Sequence, residues 1–178
     1  MAPYPAGGIL CDIGCGAGAF LRIIPTSIKA VLCIDLSSGL LRTSANYNRS
    51  APFVHLARDA GDLWGVPDGF CDLTMVMSVL QYMDDVPARE KAVSEAVRVT
   101  ARGARTFFFD LRSGDKKLYD SHRLSAGLTQ SNHHFVPRDF WRDYPGATVA
   151  SLSDLEPRAS EYYYNANFSY SVRLPKAA

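Results

Sequence analysis

The sequence predicts an α/β chain built on a doubly wound, mostly parallel sheet with two further strands near its C-terminus. Short apolar, β-branched runs alternate with stretches of three- and four-residue apolar spacing, the pattern of strands joined by helical crossovers. The first run ends at Asp12 and Ile13 and opens into alternate glycines, Gly14, Gly16 and Gly18. The last run sets Phe168, Tyr170, Val172 and Leu174 against Ser169, Ser171 and Arg173, the alternation of a half-buried strand.

Taken in order, Gly8 to Ile13 is the first strand, followed by a short helix through about Ile24 that Pro25 closes. Ala30 to Asp35 is the second strand. Ser37 can cap a helix over about Ser38 to Asn48, with Leu40, Leu41 and Tyr47 available for its inner face. Phe53 to Arg58 and Cys71 to Met77 follow as strands, the latter almost wholly apolar, as befits a strand covered on both faces. Asp85, with Pro87 in the first turn, starts a helix in which Ala92, Val93, Ala96, Val97 and Thr100 share a face; Gly103 ends it and releases the strand Thr106 to Leu111.

Ser113 to Phe135 is polar and lacks a clear period, which predicts a largely extended insertion after the fifth strand. Pro137 to Tyr144 reads as a brief helix, then Ala147 to Leu155 and Tyr163 to Leu174 as a terminal strand pair. With no repeat and no linker, residues 1–178 form one domain: a core over 9–111, the insertion and short helix over 112–146, and the strand pair over 147–174.

The 178 residues are 47% hydrophobic with a formal net charge of +1, which supplies one sizeable core and gives no electrostatic reason to expect nucleic acid or a membrane as partner. The N-terminus lacks a basic region followed by an apolar stretch, so a cytoplasmic location is expected. Cys11, Cys15, Cys33 and Cys71 fall in or beside strands without paired metal-ligand spacing, and are expected to be reduced and buried; no metal site is expected.

The glycine turn carries the chemistry. Glycines at positive φ turn tightly and let main-chain N–H groups approach a ligand. Gly14-x-Gly16-x-x-Ala19, with Asp35 further on, satisfies the dinucleotide fingerprint. Asp12 argues for a different ligand: a carboxylate at that strand end repels a pyrophosphate and favours a cationic cofactor. S-adenosylmethionine, with a sulfonium, an ammonium and no phosphate, is such a cofactor.

Asp12-Ile-Gly14-Cys-Gly16-Ala-Gly18 resembles the first motif of the class I, Rossmann-like S-adenosylmethionine-dependent methyltransferases. The resemblance is specific from Ile9 to about Leu111 and beyond that rests on element order; it implies a seven-stranded, Rossmann-like, mostly parallel sheet with a terminal antiparallel strand. It implies that S-adenosyl-L-methionine is held by Asp12, Gly14, Cys15, Gly16 and Gly18; that Asp35 receives the two ribose hydroxyls, with Leu36 a wall for the adenine; and that Asp59 and the Ala60 backbone meet the adenine amine, Asp62 being the competing acid. By the same resemblance, the segment from Ser78 to Met83 after the fourth strand is expected to face the methyl donor and acceptor, with Ser78, Gln81 and Tyr82 its polar side chains. The Asn/Asp-Pro-Pro-aromatic tetrad of adenine and glutamine methyltransferases is absent, its place taken by Ser78-Val79-Leu80-Gln81, so the expected acceptor is a small molecule.

His133, His134 and Tyr82 are candidates for proton removal from an oxygen acceptor, with His122 a further histidine and Tyr162, Tyr163 and Tyr164 a second cluster. The family carries a lid helix ahead of the first strand, and eight residues precede Ile9 here; the chain is expected to be a short version, to be part of a longer one, or to take its lid from Ser113 to Phe135 or from a dimer mate or partner subunit. Two rival readings use the same turn. A non-catalytic S-adenosylmethionine-binding module or partner subunit keeps Asp12, Asp35 and Asp59 without a closed acceptor site, while a nicotinamide oxidoreductase is disfavoured by Asp12 and by the lack of Tyr-x-x-x-Lys.

Overall fold

The computed structural model describes residues 6–46, 52–130, 132–151 and 169–177. Seven strands, β1 (Ile9–Ile13), β2 (Ala30–Asp35), β3 (Phe53–Ala57), β4 (Cys71–Met77), β5 (Thr100–Arg112), β6 (Thr148–Ser151) and β7 (Ser169–Pro175), form one sheet in the order β3-β2-β1-β4-β5-β7-β6. The neighbours from β3 to β5 pair in parallel, and β7 runs antiparallel to both β5 and β6. The chain winds outward from β1 to β3 and then crosses to β4 on the other side of β1. The crevice at the C-terminal ends of β1 and β4 is thus the reversal point where open α/β sheets receive ligands.

Alternate residues feed two cores. Leu10, Val31 and Cys33 pack with Leu21, Ile28, Leu41 and Met75 on one face. Cys11, Ile13, Leu32 and Ile34 pack on the other with Ala92, Val93, Ala96 and Val99 of α2 (Val86–Val99). The helix caps are local: Ser37 Oγ accepts from Leu40 N–H to start α1 (Ser38–Ala45), and Asp85 Oδ1 accepts from Ala88 N–H at 2.6 Å to start α2. Asp72 ties the starts of the neighbouring strands β4 and β1, its Oδ2 accepting from the Ile9 N–H at 2.8 Å.

Several boundaries differ from the sequence reading. The first crossover is a 3-10 turn, Phe20–Ile23, because too few residues separate Gly18 from Pro25 for an α-helix to develop. Helix α1 stops at Ala45 and turns inward through Leu41 and Ser44, leaving Leu40 exposed; Tyr47 lies outside the described residues. Helix α2 gives way to β5 at Thr100, well before Gly103. Thr100 is extended, and its hydroxyl joins the buried hydroxyls of Thr74 and Thr106, which draws the chain directly into the sheet. Gly103, at φ +75, then sits inside the irregular start of β5.

The largest correction falls in the insertion. Lys116–Ser125 is a helix, α3, whose N-cap Asp115 accepts from the Lys117 and Leu118 N–H groups. Its one buried residue is Tyr119, so it leaves no apolar period to read. Pro137 to Tyr144 condenses to a 3-10 turn over Arg138–Trp141. The outer part of the strand expected over Ala147 to Leu155, the beginning of that expected from Tyr163, and Tyr162 to Tyr164 lie outside the described residues.

Candidate active site

At the end of β1 the chain enters the glycine turn with Gly14, Gly16 and Gly18 at φ +75, +54 and +83. The three serve different ends. A Cβ on Gly14 would stand 2.1 Å from Val79 Cγ2, and one on Gly18 would stand 2.8 Å from Ser44 Oγ, so both are small because the scaffold closes on them. A Cβ on Gly16 would meet nothing within 4 Å. There the bare backbone faces open space, where a ligand can approach it. Gly14 and Cys15 donate their N–H groups to the Ile34 carbonyl at 2.7 and 3.0 Å, which moors the turn to β2.

Asp35, at the end of β2, braces the turn from beside it: Oδ2 accepts from Gly16 N–H at 2.9 Å and Oδ1 from Ser37 N–H at 2.8 Å. A carboxylate has about four acceptor sites, so each oxygen retains capacity for a ribose hydroxyl. Leu36 projects beside it, 75% exposed.

Asp12 is buried, and its Oδ2 has no hydrogen-bond partner among the described residues. Burial, and secondarily the charge of Asp35, push its carboxyl from an ordinary 3.8 up to about 7. An acceptor oxygen stranded beside a glycine turn that faces open space suits a cationic or hydrogen-donating ligand. Asp12, the Gly14–Gly18 backbone and Asp35 therefore fit S-adenosylmethionine. Cys15 is buried beside them, its thiol held neutral by its contact with Cys33 and by burial.

Beyond β3, Asp59 Oδ1 accepts from Gly61 N–H at 2.7 Å and its carbonyl accepts from Asp62 N–H, so it organises this turn while its side chain stays exposed. Ala60 is half-buried against the core, and Asp62 is exposed. The following loop is clamped to α2, because Arg98 bonds the Leu63 and Val66 carbonyls and Glu95 accepts from Leu63 N–H.

Three side chains the sequence reading did not single out, Asp110, Arg112 and Tyr119, gather around Ser78 at the ends of β4 and β5. Ser78 and Asp110 both adopt positive φ, and Ser78 Oγ donates to Asp110 Oδ2 at 2.5 Å. Asp110 pairs with Arg112, which also donates to Ser169 Oγ. Arg112 is 4% exposed and lies over the ring of Tyr119 from α3. A strand ending Asp110-x-Arg112 carried a readable signal, an acid and a base at the rim of a buried strand; Tyr119 was hidden by the reading of its segment as a loop.

The segment after α3 crosses this cluster, tied by His134 N–H to the Gln81 carbonyl at 2.7 Å and by Val136 N–H to the Arg112 carbonyl at 2.8 Å. His133 Nε2 lies 3.2 Å from the Tyr82 hydroxyl, and the rings meet edge to face. Burial, then the charges of Arg112 and Arg123, hold His133 below the ordinary histidine range. Gln81 is buried. The structure thus joins Ser78, Gln81, Tyr82 and His133 in one neighbourhood, while the His134 side chain is exposed. Among the described residues no group of three His, Cys, Asp or Glu could hold a metal, and no helix is long and apolar enough to cross a membrane.

A seven-stranded doubly wound sheet with its glycine turn and two strand-end acids at the reversal point defines a nucleoside-cofactor domain. Residues 11–108 match the family described as "Methyltransferase domain", and the chain belongs to the class I S-adenosylmethionine-dependent methyltransferases. Over 114 residues it is 33% identical to a malonyl-[acyl-carrier protein] O-methyltransferase of Serratia marcescens, covering 64% of this chain and 42% of that protein. The chain thus spans less than half the length of that relative. Among solved structures it is similar to an S-adenosylmethionine-dependent methyltransferase of Methanosarcina mazei, with TM-score 0.69, 16% identity, and coverage of 98% of this chain and 95% of the other. It is similar also to a Haloferax volcanii methyltransferase in complex with the Trm112 methyltransferase activator, with TM-score 0.69, 19% identity, and coverage of 99% and 85%. S-adenosylmethionine is the methyl donor typical of the family, which sets aside the nicotinamide reading.

Proposed function

We propose that this chain transfers a methyl group from S-adenosylmethionine to a small-molecule acceptor held at the ends of β4 and β5. The observation that carries the reading is an Asp12 oxygen with no partner among the described residues, next to the glycine turn whose Gly16 faces open space, with Asp35 bracing the same turn. When bound, the cofactor supplies an electrophilic methyl on a sulfonium. Asp12 meets its positive end, Asp35 its ribose hydroxyls, and Asp59 with the Ala60 backbone its adenine.

The protein's task is then to hold an acceptor in line and to keep water out. Helix α3 and residues 132–136 serve as the cover: the Tyr119 ring of α3 lies under Arg112, and the His134 and Val136 N–H groups bond the Gln81 and Arg112 carbonyls. His133 is the base for an O–H or N–H acceptor. With Nε2–H donated to the Tyr82 oxygen, Nδ1 presents its lone pair, and depression of its pKa keeps the ring neutral near pH 7. The Serratia relative is an O-methyltransferase of a malonyl group carried on acyl-carrier protein, which supports an oxygen acceptor.

The reading is tested by incubating the protein with methyl-labelled S-adenosylmethionine and separated small-molecule, protein and nucleic-acid fractions of an extract. Label is expected in the small-molecule fraction; label confined to macromolecules contradicts the proposed acceptor class.

A further inference from the structure

Three buried polar atoms at the ends of β4 and β5 lack a hydrogen-bond partner among the described residues: Gln81 Oε1, Arg112 Nε and His133 Nδ1. They share one neighbourhood. Gln81 is bonded through its carbonyl to the residue after His133, His133 lies beside Tyr119 at a ring separation of 6.5 Å, and the Arg112 guanidinium lies 5.8 Å over that ring. An unpaired buried polar atom costs its lost hydration, and three together describe a place where a ligand completes the bonding.

The chemistry of the three differs. Arg112 Nε is an ionic donor; Asp110 and Ser169 engage the guanidinium at Nη1, the Tyr119 side chain also bears on it, and Nε itself has no partner among the described residues. Gln81 Oε1 is an acceptor, and so is His133 Nδ1 once Nε2–H serves Tyr82. The ionised groups that bear on His133 are Arg112, Arg123 and Lys116 against Asp110, and Lys116 is itself bridged to Asp120. A second guanidinium, Arg123, lies 5.9 Å over the Tyr119 ring. The neighbourhood is positive on balance and suits an anion.

We propose that this is the acceptor subsite and that it takes a small hydroxy or amino acid, its carboxylate on Arg112 Nε and its O–H or N–H facing His133 Nδ1 and Gln81 Oε1. This extends the methyl-transfer reading by naming the acceptor class. A carboxylate on a guanidinium gains a charge-assisted bond, whereas the matching amide presents a neutral oxygen.

The test uses four acids, lactate, serine, 3-hydroxybutyrate and 4-hydroxybenzoate, each beside its own amide, with binding measured by ligand-observed NMR with and without S-adenosylhomocysteine. At least one acid is expected to bind tenfold or more tightly than its amide. Arg112→Lys, which keeps the charge and removes the Nε donor, is expected to weaken that acid at least tenfold while S-adenosylhomocysteine affinity holds. If every acid binds no better than its amide, the proposal is overturned without recourse to a variant; unchanged acid binding by a folded Arg112→Lys protein also overturns it. Calorimetry with S-adenosylhomocysteine on the same sample separates the two readings, because acid binding without cofactor binding upholds the subsite and removes methyl transfer.

Discussion

Ser78 and Asp110 stand at the ends of the adjacent strands β4 and β5, each with left-handed backbone, at φ 57 and 58, and joined by a 2.5 Å hydrogen bond. Asp110 falls where the β5–β7 register shifts, so a bulge turns its carboxylate toward Ser78 and Arg112. Such conformations cost about 1 to 3 kcal/mol each outside glycine and persist where the surroundings enforce them.

Loss of the carboxylate at this junction leaves Arg112, 4% exposed, without its counter-ion. Asp110→Ala is expected to destabilise the fold by about 3 kcal/mol, near the lower end for breaking a buried pair because the Asp110 side chain is itself a third exposed. Ser78→Ala, which removes one hydrogen bond and no charge, is expected to cost about 1 kcal/mol. Urea denaturation of the two variants checks the order.

Asp35→Ala is expected to weaken S-adenosylhomocysteine binding by about 1.5 to 3 kcal/mol, the range for hydrogen bonds to a charged group. The turn loses its brace at Gly16 and Ser37 as well, so some stability is lost with it. Calorimetry on the folded variant checks the affinity, and an unchanged value removes Asp35 from the site.

Asp12 gives a pH dependence of defined sign. Its folded-state pKa, about 7, lies above the ordinary 3.8, so between those values the native chain keeps a proton that the unfolded chain has lost. Its contribution to stability is complete below the unfolded value and is lost as pH rises through about 7. Asp12→Asn is therefore expected to flatten this part of the stability profile and to stabilise the ligand-free protein at about pH 8. S-adenosylmethionine binding runs the other way, strengthening in the natural protein as Asp12 ionises and staying level in the variant. Denaturation and calorimetry at several pH values test both limbs.

The glycines separate packing from binding. Gly14→Ala collides with Val79 and is expected to destabilise the fold. Gly16→Ala places its methyl in open space, at the cost of a strained φ, and is expected to fold while losing cofactor affinity. Thermal melts with and without S-adenosylhomocysteine distinguish them.

His133→Gln is expected to lower turnover by about 10²- to 10⁴-fold, the usual contribution of a positioned base, with cofactor affinity retained. In the natural protein the rate falls with acidity as His133 protonates, below the ordinary histidine range. A rate profile unchanged in His133→Gln removes the base from this position.

The glycine turn and the central strands were legible because their signals are local: β2 and β4 begin and end where the apolar runs do, and Ser37 and Asp85 cap their helices through bonds within three residues. The same turn carried the family, since Asp12 and three glycines stand within seven positions. Thr100 was misread because its strand conformation comes from Thr74 and Thr106, partners that periodicity does not reveal. Helix α3 was missed because Tyr119 alone is buried, although Asp115 held a cap signal. Arg112 and Asp110 join the candidate site through a bulge between β5 and β7, a relation between segments some sixty residues apart that spacing along one strand does not encode.

Asp12, the glycine turn and Asp35 are proposed to hold S-adenosylmethionine. Calorimetric titration of the natural protein with S-adenosylmethionine, S-adenosylhomocysteine and NAD tests it most directly. One molecule of either sulfur nucleoside is expected to bind per chain, more weakly in Asp35→Ala, with no binding of NAD; NAD binding without detectable S-adenosylmethionine binding contradicts this assignment.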